Sequence, residues 1–135
     1  MRAILSRATG TFAVIGGGEE TIREAPDEVR LTRVRGSQRF SGAIVGEGSV
    51  EWVFCYRPDG TARFLGFQRI EGSIEGQSGS LVMESVGDHD GKRSKGHWHV
   101  IPGSGTGELA GIRGEGTFEA PGGPEVTYRL DYELG

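Results

Sequence analysis

Four side chains in this sequence have the chemistry to hold or polarise an oxygen-bearing organic molecule. Tyr56, Tyr128 and Tyr132 carry phenol hydroxyls, and Gln68 carries an amide. Both groups can donate hydrogen bonds to a carbonyl or to a developing oxyanion, and the amide does so without exchanging a proton. We predict Tyr56, Gln68 and Tyr128 as the catalytic residues of a pocket that they line together.

The histidines are the second set of candidates. His97 and His99 are two residues apart, so in a strand both face the same side, as in H-x-H metal sites. The next glutamate, Glu108, comes only after a proline and glycine loop, and His89 lies in the preceding turn. With Trp98 facing inward, the pair faces solvent or a second subunit. We therefore predict no metal and no cofactor.

One glycine pattern is similar to a dinucleotide-binding fingerprint. Gly105, Gly107 and Ala110 match G-x-G-x-x-A, a motif that needs a helix directly after the loop. The segment that follows, GIRGEG, carries three glycines, and each interior glycine costs a helix about 1 kcal/mol. We predict a turn and a bent strand here, and a plain hairpin turn for DHDG at 88–91, which lacks most calcium-loop ligands.

The elements that must position these residues are strands. Apolar and polar residues alternate in VEWVFCY at 50–56, and the turn formers of RPDG follow. The same period of two recurs in SLVMESVG, SKGHWHVI and EVTYRLDYEL. Short connections and a glycine on most strands predict an all-β fold, a single antiparallel eight-stranded β-barrel. We expect one domain over residues 1–135, with one longer polar loop at 17–28 that has room for a helical turn.

An eight-stranded barrel has an interior wide enough for side chains or for one small ligand. We assign the more apolar face of residues 50–56 inward and Glu51 and Cys55 outward. The same alternation gives these substrate-binding candidates: Trp52, Phe54, Phe64, Met83, Ser85, Trp98, Phe118 and Tyr132. It also turns Phe12, Val14, Gln68 and Tyr128 inward. Such an aromatic lining fits a ligand pocket, and it also fits a filled core whose polar atoms find partners inside the protein.

Four arginines lie close together, namely Arg30, Arg33, Arg35 and Arg39. We expect a solvated strand edge, because acidic residues surround them. Any of them that points inward near the mouth of the barrel would instead be placed to receive a substrate carboxylate.

Composition excludes several classes of function. The formal net charge of −4 lacks the basic surface that nucleic-acid binding requires. No apolar run approaches the roughly 18 residues of a membrane helix, and the first ten residues lack the apolar core of a secretory signal. Cys55 is the one cysteine, so no intrachain disulfide can form. We expect a cytoplasmic protein that binds neither nucleic acid nor membranes.

Three segments carry a resemblance to a known group of proteins: YRPDGTARFLG, IEGSIEGQSGS and WHVIPGSGTGELAGIRGEGTFEAPGGPEVTYRLDYEL. From Ala8 to Leu134 the chain is similar to a family of small bacterial domains of uncharacterised function, whose members resemble the allene oxide cyclase-like β-barrel. The resemblance implies an eight-stranded barrel with a pocket at one end. It also implies that relatives carry an acidic residue and a histidine where this chain has Gln68 and Ser85.

Related barrels cyclise or isomerise reactive apolar substrates, steer phenolic radical coupling or catalyse cycloadditions in bacterial polyketide pathways. The resemblance thus implies a cofactor-independent cyclase or isomerase for an apolar or aromatic, polyketide-like substrate in natural product biosynthesis. Holding a flexible substrate in its reactive shape can contribute roughly 7–11 kcal/mol. Two alternatives stay open: a ligand carrier without turnover, and a homo-oligomeric interaction module, a dimer or higher, whose outer face with Val53, Leu65 and Phe67 is covered by a second subunit.

Overall fold

The structure is a computed structural model that describes residues 5–135. Within this range, eight antiparallel strands form a closed barrel in which each strand pairs with its sequence neighbours and the last strand pairs with the first. The strands are β1 (Ser6–Arg23), β2 (Arg30–Gly42), β3 (Ile44–Tyr56), β4 (Ala62–Ile74), β5 (Gln77–His89), β6 (Ser94–Val100), β7 (Arg113–Ala120) and β8 (Glu125–Glu133). The predicted fold class is confirmed.

The strands are staggered around the barrel. The pairing that starts at Thr32 passes through Phe54, Phe64, Gly87, Gly96, Phe118, Tyr128 and Gly10 and returns to β2 at Gly42. One circuit therefore ends ten residues further along the same strand, a stagger that accompanies the strand tilt of about 35–45° typical of barrels. The hairpins β1–β2, β3–β4, β5–β6 and β7–β8 all lie at one end, which we call the upper end.

The predicted polar loop at 17–28 is shorter than expected. β1 continues through residues 17–23, and only residues 24–29 connect it to β2. A bulge between Val14 and Gly16 shifts the register of β1, and Gly17 adopts a φ of 120°, a conformation that favours glycine. The segment GGGEETIR has no apolar alternation, so the period of two was absent from the sequence.

Inner-face glycines lie beside aromatic residues of neighbouring strands. On the inner face a Cβ added to Gly96 would lie 2.2 Å from Cζ of Phe118, and one added to Gly87 would lie 2.4 Å from Cζ of Phe64. Each glycine therefore provides the space that a ring from the neighbouring strand fills. The high glycine content thus serves ring packing as well as turns.

The glycine loop between β6 and β7 closes the lower end. A single 3-10 turn, Gly107–Leu109, buries Leu109, and Ile112 is buried just after it. Thr106 bonds to β5, where its Oγ1 accepts the backbone N–H of Ser80 at 3.0 Å. The segment is a turn against the barrel, in agreement with the sequence-based prediction. In residues 5–135 no helix has the length and apolar character needed to cross a membrane.

Candidate functional site at the upper mouth

The wall of the barrel is lower on one side of the upper end. β8 pairs with β1 only as far as Ala13 and Glu125, whereas β1 stays paired with β2 up to Arg23. Above Ala13, β1 therefore has a strand on one side only. Val14, in inner-face register, is consequently 48% exposed. We call this gap between β1 and the β7–β8 loop the notch.

Three aromatic rings of β3 line the inner surface at this end. Trp52, Phe54 and Tyr56 are each partly exposed, although they lie on the inner face. Phe54 stacks between Tyr56 and Phe64, with ring centroids 5.6 Å and 4.8 Å apart and both interplanar angles at 19°. Phe64 is itself buried. The stack is a flat apolar wall at the upper end, as the assignment of this face inward anticipated.

A carboxylate sits among these rings. Glu19 Oε2 accepts hydrogen bonds from the Tyr56 hydroxyl at 2.9 Å and from Thr32 Oγ1 at 2.5 Å. Partial burial, together with the Glu19 carboxylate, raises the pKa of Tyr56 to about 12, because a phenolate would be poorly solvated and repelled. The Arg30 guanidinium lies 4.5 Å from the centre of the Tyr56 ring. We call Glu19, Thr32, Trp52, Phe54 and Tyr56 the upper mouth.

A chain of amides and an indole crosses the interior below the mouth. Trp98 Nε1 donates to Gln68 Oε1 at 2.7 Å, and Gln68 Nε2 donates to Gln38 Oε1 at 2.9 Å. All three side chains are buried, and Gln38 Nε2 has no hydrogen-bond partner within the described part of the chain. These hydrogen bonds link β6, β4 and β2 across the interior.

The resemblance implies titratable residues at positions 68 and 85. In this chain both residues, Gln68 and Ser85, are neutral, and each accepts a hydrogen bond from a tryptophan indole. Ser85 Oγ accepts from Trp52 Nε1 at 2.6 Å, while Gln68 accepts from Trp98. Both residues are buried. Their side chains hold the two tryptophans in place, and neither can exchange a proton near neutral pH.

The remaining tyrosines lie at the lower end. The Tyr128 hydroxyl donates to the Ser41 carbonyl at 2.8 Å and accepts from the Ile44 N–H at 2.9 Å, next to the β2–β3 turn. The Tyr132 hydroxyl donates to Glu75 Oε1 at 2.6 Å in the β4–β5 turn. Burial raises the pKa of both phenols, to about 12 for Tyr132, where Glu75 adds to the effect.

The predicted catalytic residues therefore occupy three levels of the barrel. Tyr56 is at the upper mouth, Gln68 is inside and Tyr128 is at the lower end. Of the predicted substrate-binding residues, Trp52 and Phe54 face the mouth. The others are buried inside the barrel, and Tyr132 lies at its lower end: Phe64, Met83, Ser85, Trp98, Phe118 and Tyr132.

The histidine pair lies on the outer face. His97 and His99 are exposed and border an outer groove of about 410 Å³ that also contains Glu84, Glu115 and Asp131. Across residues 5–135, no three His, Cys, Asp or Glu side chains come together in a way that could hold a metal ion.

Three of the four arginines also point outward, as expected for a solvated strand. Arg33 and Arg35 pair with Glu51, and Arg39 pairs with Glu47. Arg30 is the exception, because it lies at the rim of the mouth against Tyr56. One of these arginines is therefore placed at the opening.

Sequence analysis missed Glu19, Thr32 and Gln38. In RLTRVRGSQRF, strict alternation sets Thr32 and Gln38 on the face opposite Arg33, Arg35 and Arg39, so these two could have been found. Glu19 could not have been found from the sequence. The bulge in β1 changes which residues face inward, and GGGEETIR has no pattern that predicts a strand.

Comparisons with known proteins place the chain in a family. The profile of a family described as "Protein of unknown function (DUF3224)" matches residues 8–132. A solved protein of unknown function from the same family, from Shewanella oneidensis MR-1, has 24% sequence identity, a TM-score of 0.82 and 98% of each chain covered. This likeness shows the fold alone. None of the curated proteins matches the sequence. The further resemblance to allene oxide cyclase-like barrels stays a prediction.

Proposed function

This chain belongs to the DUF3224 family, and we propose that it binds an apolar or aromatic small molecule at the upper mouth of the barrel. One observation carries the proposal. Trp52, Phe54 and Tyr56 lie on the inner face yet remain partly exposed, at the end of the barrel where the wall has a notch. A ligand that covers such rings gains roughly 25 cal/mol for each Å² of apolar surface removed from water. Mostly apolar concave surfaces with a few placed polar groups are typical of ligand sites.

The polar groups around the mouth narrow the class of ligand. Glu19 uses Oε2 for both of its hydrogen bonds, which leaves Oε1 to accept one from a ligand hydroxyl or N–H. The favoured ligand has a flat aromatic body and a hydroxyl that can donate to Glu19 Oε1. Phenolic polyketides have this chemistry.

The finer proposal is that the mouth guides a cyclisation or isomerisation without a cofactor. Stacked rings backed by buried side chains make a rigid wall, which suits a site that acts by fixing substrate shape. In this proposal Glu19 Oε1 accepts a hydrogen bond from the reacting hydroxyl, and Tyr56, whose hydroxyl donates to Glu19 Oε2, holds that carboxylate in place. Gln68 and Tyr128 hold the wall, since their hydrogen bonds are made within the protein. A carrier without turnover would use the same wall.

Binding can be tested with the fluorescent probe N-phenyl-1-naphthylamine. We expect saturable binding by the wild type, and a loss of affinity of at least about tenfold in Val14→Trp, which fills the notch. Val45→Trp is the matched control, because Val45 is 55% exposed on the outer face. It should bind as the wild type does. Equal binding by both variants, or no binding by the folded wild type, would show that the mouth is not a ligand site.

Turnover can be tested separately with a linear poly-β-ketone thioester, following ring closure by mass spectrometry. The enzymatic proposal expects faster closure than in buffer, with the acceleration reduced at least about a hundredfold in Glu19→Gln, the lower end of the effect of one positioned acid–base group. If the probe binds but ring closure is not accelerated, the cyclase hypothesis is refuted and the carrier hypothesis is retained.

A further inference from the structure

A histidine lies beside the upper mouth. His89, which the sequence suggested was in a turn, is the last residue of β5, where it pairs with Ala62 of β4, and Ala62 pairs in turn with Tyr56. Alternation from the buried Ser85 and Gly87 sets His89 on the inner face, where it is partly exposed. Tyr56 and His89 are thus two strand spacings apart, about 10 Å between Cα atoms. Ala62 between them carries only a methyl group, so no long side chain of β4 separates them at this level.

The imidazole of His89 is held at one nitrogen and free at the other. Nδ1 lies 2.9 Å from Oγ of Ser94, the residue opposite it on β6. A hydroxyl both donates and accepts, so Ser94 can bond to the neutral ring as a donor and to the imidazolium as an acceptor. Nε2 makes no hydrogen bond within residues 5–135. It is therefore open to a ligand in either protonation state.

The charged groups around His89 keep their charge near neutral pH. In the β5–β6 turn, Asp90 Oδ1 accepts the backbone N–H of Arg93 at 2.8 Å and that of Lys92 at 2.9 Å. These bonds hold the pKa of Asp90 below its usual range, and the nearby His89 adds a smaller effect in the same direction. The paired positions on β4 and β6 are uncharged. The other charged side chains nearby lie on the outer face or in the β3–β4 turn: Arg57, Arg63, Asp88 and Lys95.

We propose that His89 binds an anionic oxygen of the aromatic ligand, an inference that rests on the proposed function of the upper mouth. The Nε2–H of an imidazolium is a charge-assisted donor to such an oxygen. Glu19 on β1 and His89 on β5 approach Tyr56 of β3 from opposite sides. The ligand hydroxyl therefore meets Glu19, and an acidic group at the far end of the ring system meets His89. The ligand class is an aromatic acid that also carries a hydroxyl.

The two cationic side chains at this end differ in their availability. The Arg30 guanidinium already faces the carboxylate of Glu24 at 3.7 Å and the ring of Tyr56. His89 has no carboxylate within 4 Å among residues 5–135. An anionic ligand favours the charged form of histidine, so its affinity should rise as the pH falls through the range in which histidine becomes protonated.

Two fluorescent probes with the same anilinonaphthalene body separate the effect of charge from that of the rings. N-phenyl-1-naphthylamine is neutral, whereas 8-anilinonaphthalene-1-sulfonate stays anionic throughout the pH range used. For the wild type, the affinity for the sulfonate probe should rise at least about threefold from about pH 8 to about pH 5.5, the effect of one partly exposed charge pair. The affinity for the neutral probe should stay nearly constant, and the neutral probe should displace the sulfonate probe.

Three variants assign the pH dependence to one side chain. His89→Gln should remove it. His89→Lys stays positive up to about pH 10, so it should bind the sulfonate probe at about pH 8 as tightly as the wild type does at about pH 5.5. His97→Gln is the matched control on the outer face of β6 and should keep the wild-type dependence. Circular dichroism at each pH confirms that the proteins are folded.

The outcomes distinguish this inference from the proposed function. The role of His89 is overturned if the affinity for the sulfonate probe does not change with pH, if the change persists in His89→Gln, or if the neutral probe does not displace the sulfonate probe. Binding of the neutral probe that is lost in Val14→Trp would still support the ligand site in each of these cases. If the folded wild type binds neither probe, both proposals fail.

Discussion

At the scale of single residues, Glu19 organises the hydrogen bonds of the upper mouth. Its Oε2 holds the hydroxyls of Tyr56 and Thr32, and its charge opposes ionisation of the phenol. Tyr56 therefore stays protonated across the physiological range and acts as a hydrogen-bond donor, never as a phenolate. A base at the mouth would have to be Glu19 itself.

Replacing Glu19 by glutamine should lower the pKa of Tyr56 from about 12 towards its ordinary value. The amide still accepts a hydrogen bond, but it no longer repels a phenolate. Part of the elevation remains, because partial burial is its largest cause. NMR of ¹³C-labelled tyrosine follows the three phenols as the pH is raised.

The matched control is Glu75→Gln, which should lower the pKa of Tyr132 and leave that of Tyr56 unchanged. An unaltered Tyr56 titration in Glu19→Gln would contradict the hydrogen bond between these side chains.

At the scale of elements, two features shape the site. The β7–β8 hairpin ends at the level of Ala13, and this short hairpin creates the notch. A Cβ built at Gly122 would lie 3.7 Å from the Lys92 carbonyl, so the β7–β8 loop lies close to the β5–β6 turn. The second feature is the pairing of glycines with rings on neighbouring strands, which lets eight strands close around a cluster of aromatic side chains.

Gly96→Ala should destabilise the protein by about 1–3 kcal/mol, because the new methyl group would overlap the buried ring of Phe118. Gly18→Ala is the control within a strand, since a Cβ there meets no atom within 4 Å. Its effect on the free energy of unfolding should stay below about 1 kcal/mol. Urea unfolding measures both, and equal effects would refute the packing argument.

At the scale of the whole molecule, ionisation of the phenols links stability to alkaline pH. Tyr56 and Tyr132 lose their protons at a pH of about 12 in the folded barrel. In the unfolded chain they do so near about 10. Between these values the unfolded state is the more ionised, so rising pH favours unfolding through these groups. Their contribution is complete below about pH 10 and is lost as the pH approaches about 12.

The double variant Tyr56→Phe, Tyr132→Phe should therefore lose less stability over this range than the wild type. Urea unfolding at a series of pH values measures the difference in slope. All other titrating groups are common to both proteins. If the free energy of unfolding falls equally with pH in the wild type and the double variant, neither phenol has a raised pKa in the folded state.

The sequence by itself determined the fold class and most of the inner face. A period of two needs no knowledge of distant contacts, so Trp52, Phe54, Phe64, Trp98 and Phe118 could be assigned inward from local alternation alone. The turn at RPDG likewise follows from its residues: Asp59 Oδ1 accepts the Thr61 N–H at 2.9 Å, and Gly60 has a φ of 90°.

Only the tertiary structure decided which inward residues meet. Alternation predicts which face of the sheet a side chain occupies, but not its position along the barrel axis. That position depends on the ten-residue stagger between strands that are distant in sequence. For that reason Tyr56, Gln68 and Tyr128 share a face yet occupy three levels. Glu19 lies at the mouth for two reasons: a bulge shifts the register of β1, and β1 extends beyond the end of its pairing with β8. Both result from strand pairing, which no local sequence pattern encodes.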